Sequence, residues 1–127
     1  MKNLFLKPSS LDFFFRFGLS IVFLLNSLTA WFSPDEFLEL LKNNPLASAI
    51  ANPQIWIYII SINDALLFLL ILSGRWRKTI AIWAALWMTA VIYVTLGGGI
   101  TEFIEHIGVL SFIIYYYFAF QRPSAEQ

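Results

Sequence analysis

Four long apolar stretches, at about residues 11–32, 55–73, 79–96 and 101–120, constrain this chain more than any other feature. A helix rises about 1.5 Å per residue, so each stretch of roughly twenty residues matches the thickness of a bilayer's hydrocarbon core. The fold class expected is therefore an all-α membrane protein, a bundle of four transmembrane helices making one domain over residues 1–127. Composition agrees: 59% of residues are hydrophobic, 13% are charged and mean hydropathy is +0.72. A soluble domain has about a quarter of its residues charged.

The first stretch resembles the apolar region of a secretory leader, with Leu28-Thr29-Ala30 as a faint cleavage site. Its length and Arg16 favour a retained span. Ser9 or Ser10 would cap it. Ser33-Pro34-Asp35-Glu36 has the form of a capping box, which predicts a short amphipathic helix over about 34–43 lying at the membrane surface, with Phe37, Leu40 and Leu41 on its apolar face. A second turn from Leu46 to Ala51 follows between Pro45 and Pro53. In the third span Ala81, Ala85 and Thr89 form a small-residue seam for close helix approach, and Tyr115-Tyr116-Tyr117 suits an aromatic belt.

With four spans, Lys2, Lys7, Arg16, Arg75, Arg77, Lys78 and Arg122 fall on one side and Lys42 alone on the other. The positive-inside rule then places both termini in the cytoplasm, with the surface helix outside. Zero net charge and the lack of a basic tract remove the electrostatic footprint of nucleic-acid binding. With no cysteine, disulfide frameworks, thiol relays and thiolate metal sites are excluded.

Ionisable residues inside spans are costly, so each should be paired, hydrated or functional. Asp64 lies midway through the second span beside Asn63, where it serves either as a structural clamp or in a functional role. Arg16 shares a stripe with Ser20, Phe23, Ser27 and Ala30, and either snorkels to the surface or reaches Asp64; the pair with Asp64 is favoured. After Gly97-Gly98-Gly99, the fourth span opens with Glu102, Glu105 and His106 on one stripe that Val109, Ile113, Tyr116 and Phe120 continue. These three form either a solvated helix end or, with Asn26 at similar depth, a polar pocket near the outer face.

The candidate polar site is thus Arg16, Asn26, Asn63, Asp64, Glu102, Glu105 and His106, with catalytic roles unassigned and no metal expected. A di-iron site lacks its second Glu-x-x-His helix, and a single zinc on two carboxylates and the histidine is the weaker alternative. A quinone is the better candidate ligand: His106 and an acid exchange protons with its carbonyls, and Trp31, Trp56, Phe103 and tyrosines line the rest.

Arg16-Phe17-Gly18, the acid Asp64, Leu70-Ile71-Leu72-Ser73-Gly74-Arg75 and Gly98-Gly99-Ile100-Thr101-Glu102 together resemble the DoxX-like family of small four-helix membrane proteins. That resemblance covers nearly the whole chain. It implies a bundle in the bacterial or archaeal cytoplasmic membrane, acting as a subunit or companion of membrane redox systems such as thiosulfate:quinone oxidoreductase, with Arg16, Asp64 and Glu102 as its polar positions. The expected function is an accessory subunit of a quinone-linked electron-transfer complex, partnered by the lipid bilayer and other membrane subunits and not itself catalytic. A packing subunit and, less favoured, a small-molecule transporter are the alternatives.

Overall fold

The structure is a computed structural model that describes residues 8–119. Among the described residues the chain forms six helices: α1 (Pro8–Phe32), α2 (Asp35–Asn43), α3 (Pro45–Ile50), α4 (Pro53–Ser73), α5 (Arg77–Thr95) and α6 (Ile100–Phe118). Local chemistry explains the boundaries. Asn44 accepts from the Ala47 amide at 2.9 Å and caps α3, while Asn52 accepts from the Gln54 amide at 2.8 Å and caps α4. Gly74 stops α4 in the left-handed region, at φ 70°, with its amide returning to the Ile71 carbonyl.

Two expected caps are absent. The Ser33 amide is already used by the Thr29 carbonyl at 2.8 Å, so the capping box does not form, and Pro34 precedes α2 with no side-chain cap. α1 is helical from Pro8, which leaves Ser9 and Ser10 inside its first turn.

Three helices, α1, α4 and α5, are long and apolar enough to cross a membrane. The fold is thus that of a helical membrane protein. Four spans were expected; α6 matches α5 in length, but Glu102, Glu105 and His106 in its first two turns lower its apolarity.

α1 packs chiefly on α4, and α5 on α6. The two pairs meet in a core of Leu19 and Phe23 from α1, Leu67 and Ile71 from α4, Ile80, Ala81, Ala84 and Met88 from α5, and Ile113 and Tyr116 from α6. The seam of α5 therefore runs through Ala81, Ala84 and Met88, whereas Thr89 is exposed and turns its hydroxyl back to the Ala85 carbonyl. Tyr116 is fully buried rather than part of a belt. At one end, Leu41, Ala47, Ile57 and Ala30 form a second cluster that fixes α2 and α3 over the helix ends. Trp56 bolts α4 to α3 by donating to the Ala47 carbonyl at 2.8 Å.

Candidate functional site

α1 presents Ser20, Phe23, Ser27 and Ala30 inward, all buried, and the Ser27 hydroxyl donates to the Ser61 carbonyl of α4 at 2.6 Å. The same face carries Asn26 toward the end of the molecule covered by α2. Here the helices border a half-open cavity of about 520 Å³ whose lining includes Asn26, Asp64, Glu102 and His106, together with Glu36 and Glu39 of α2.

Asp64 is 1% exposed. Asn63 donates to its carboxylate at 3.1 Å and itself accepts from the Trp83 indole at 3.0 Å. Asn26 and Trp87 also face the carboxylate. All these partners are neutral. A lone charge at such depth is costly by a few kcal/mol, and this polar chain from α5 through Asn63 offsets part of that cost.

Glu102 lies in the first turn of α6, where unpaired amides favour an anion. A Cβ on Gly98 would collide with the Glu102 carboxylate, so the glycine leaves room for that side chain to fold over the turn. Its Oε2 is buried without a hydrogen-bond partner. His106 places Nδ1 2.5 Å from the Glu102 carbonyl oxygen. A carbonyl only accepts, so Nδ1 carries the hydrogen of this bond.

Three of the expected residues do not line the cavity: Asn63, which joins Asp64 to Trp83 of α5, Glu105 and Arg16. Glu105 is exposed and does not line the cavity. At 100° per residue it sits about 60° from Glu102, at the edge of a stripe that Val109, Ile113 and Tyr116 centre close to Glu102. Arg16 does not reach Asp64. It pairs with Asp12 at 3.0 Å and donates to the Leu72 carbonyl at the end of α4. Arg77 completes this opposite cluster, binding Asp12 at 2.6 Å and the Ala119 carbonyl at 3.2 Å and lying over the Tyr116 ring. Asp12 was visible in the sequence as an acid four residues before Arg16, a spacing that pairs on a helix. Phe120, the last residue of the expected stripe, lies outside the described residues, as do Lys2, Lys7 and Arg122.

The aromatic walls expected around a quinone are missing. Trp31 is exposed, Trp56 binds α3, Phe103 is not in the lining, and among the described residues Phe37 supplies the one benzene ring there. Aliphatic Leu40, Leu41, Ile60, Val91 and Val94 make up the apolar wall. Among the described residues no three His, Asp or Glu side chains are grouped to hold a metal ion.

A family model described as "Methylamine utilisation protein MauE" matches residues 8–102, three quarters of the chain. The resemblance to the DoxX-like family is thereby overturned: the motifs that suggested it, from Arg16-Phe17-Gly18 to the turn before Glu102, all fall within the region matched by a different membrane family. No curated protein and no solved structure matches the chain.

Proposed function

The chain belongs to the MauE family of methylamine utilisation proteins, and from that membership we propose that it serves as a small non-catalytic membrane component of an amine-utilising electron-transfer system. The single observation that supports a ligand-handling role is the cavity beneath α2, where Asn26, Asp64, Glu102 and His106 line one space. On this reading α1, α4, α5 and α6 all cross the cytoplasmic membrane as one domain. Their 19 to 25 residues correspond to about 28–38 Å of helix, enough for the hydrocarbon core. Arg75 between α4 and α5, with Arg77 and Lys78 in the first turn of α5, marks the end that the positive-inside rule assigns to the cytoplasm. Both termini are then cytoplasmic, and the cavity faces outward under α2.

A quinone gains little from this lining, because the wall is aliphatic and acidic. The cavity suits a polar ligand or a segment of a partner protein better than a flat ring. The test is genetic: deletion of the gene abolishes methylamine-dependent growth, the wild-type chain restores it, and the double variant Asp64→Asn/His106→Ala does not, although it reaches the membrane at normal level. Undiminished growth of the deletion strain, or full restoration by the double variant, would overturn the proposal.

A further inference from the structure

The cavity lining is rich in hydrogen-bond acceptors: apart from the amides of Asn26 and Asn43, its polar side chains are carboxylates, one hydroxyl and one imidazole. The Thr95 hydroxyl donates to the Val91 and Ile92 carbonyls at 3.0 and 3.2 Å, and the Gly98 amide donates to the Thr95 carbonyl at 2.9 Å. The His106 Nδ1 hydrogen is held by the Glu102 carbonyl. Asp64, 1% exposed, has only neutral partners, and Oε2 of Glu102 is buried with none. Glu36 and Glu39 of α2, both exposed, add two carboxylates at the rim, and among the described residues no lysine or arginine lines the space. Lys42, the one basic residue of α2, is exposed and outside the lining.

A cavity that offers acceptors and negative charge lacks a donor with positive charge. Water supplies donors but no charge, and in the low dielectric of a membrane bundle an unbalanced carboxylate is expensive. A bare metal ion is disfavoured, because no three ligating side chains are grouped together among the described residues. An ammonium group carries three donors and one charge. The aliphatic side of the cavity, through Leu41, Ile60 and Val94, matches a short hydrocarbon body attached to it. The volume of about 520 Å³ lies within the usual range for small-molecule sites.

We propose that the cavity beneath α2 binds a primary organic ammonium ion, its charge met by the carboxylates of Asp64 and Glu102 and its alkyl part lying against Leu41, Ile60 and Val94. This rests on the ligand-handling reading above but is tested separately from it, because it concerns binding by the isolated protein and not growth. A phosphatidylethanolamine headgroup offers the same ammonium. Its phosphate, however, would enter an acidic lining, so the free amine is the favoured source.

The experiment uses the full chain in phosphatidylglycerol nanodiscs, titrated by calorimetry with methylammonium and butylammonium chloride, with butan-1-ol and sodium chloride as neutral and ionic controls. Saturable binding of an alkylammonium is expected, with none for butanol. Asp64→Asn and, independently, Glu102→Gln should each raise Kd at least tenfold, so a folding defect in one variant leaves the other informative; circular dichroism identifies such a defect. Nanodiscs of phosphatidylethanolamine should give an unchanged Kd. Equal binding of butanol, absence of saturable ammonium binding, or unchanged Kd in both variants would overturn the proposal, and a tenfold weaker Kd in phosphatidylethanolamine would identify the lipid headgroup as occupant instead. A deletion strain that grows normally would defeat the growth-linked role and leave this binding result standing.

Discussion

Removing the Asp12 carboxylate strips one anion from two guanidinium groups at once. Asp12 accepts from Arg77 at 2.6 Å and from Arg16 at 3.0 Å, and the three side chains are only 15–19% exposed. Exposed pairs contribute roughly 0–1 kcal/mol, while breaking a fully buried pair costs about 3–5 kcal/mol. The cluster lies between these limits. Both arginines keep a second acceptor, Leu72 O for Arg16 and Ala119 O for Arg77, which softens the loss. Asp12→Ala should therefore destabilise the protein by about 2 kcal/mol, roughly a thirtyfold change in the unfolding equilibrium. The assay is reversible unfolding in mixed micelles titrated with dodecyl sulfate, followed by circular dichroism. A double-mutant cycle with Arg77→Ala isolates the pair and should return a coupling of about 1 kcal/mol or more. If Asp12→Ala shifts stability by less than about 0.5 kcal/mol and the cycle shows no coupling, the cluster does not tie α1 to α4, α5 and α6, and the reasoning fails.

Gly74→Ala should cost about 1–2 kcal/mol in the same assay, since Gly74 has φ 70° and a Cβ there would meet the Arg16 guanidinium at 3.0 Å; a neutral result would contradict this account of the α4 stop. Trp56→Phe removes the indole donor to the Ala47 carbonyl, at about 1 kcal/mol, and should speed amide hydrogen exchange across α3 while leaving the centre of α4 protected. Ser27→Ala loses the bond to the Ser61 carbonyl and should cost only about 0.6 kcal/mol, a typical value for interhelical hydrogen bonds in membranes, so a loss above about 2 kcal/mol would point to a further role for this hydroxyl.

The inward face of α1 was legible in the sequence because a 3.6-residue period sorts Ser20, Phe23, Ser27 and Ala30 onto one side whatever they touch. The same period carries no information about neighbours. It put Arg16 on the inward face, and the local i,i+4 acid Asp12, which the same spacing makes its neighbour, was passed over for the distant Asp64. Glu105 failed for a narrower reason: a stripe drawn through three polar residues is about 100° wide, and only one side of it turns toward α5 and the cavity. The α5 seam was misjudged by one step in register, since spacings of three and four residues both keep small side chains on one helix side. Glu36 and Glu39 remain exposed, as an acidic face on a surface helix implies; only the docking of α2 over the helix ends brings them to the rim of the cavity. The DoxX-like motifs were runs of three to six residues, too short to separate one family of small helical membrane proteins from another.

The central claim is that Asp64, Glu102 and His106 border a space open to the outer side and do not face lipid. The chain contains no cysteine, so single cysteines can be introduced without a background signal. Glu102→Cys and His106→Cys, in sealed right-side-out vesicles, should react with a membrane-impermeant maleimide added outside. Ile62→Cys, at a position 59% exposed on the outer surface of α4, should stay unlabelled in lipid. Labelling of Glu102→Cys and His106→Cys only from the cytoplasmic side, or from neither side while Ile62→Cys reacts, would contradict the account.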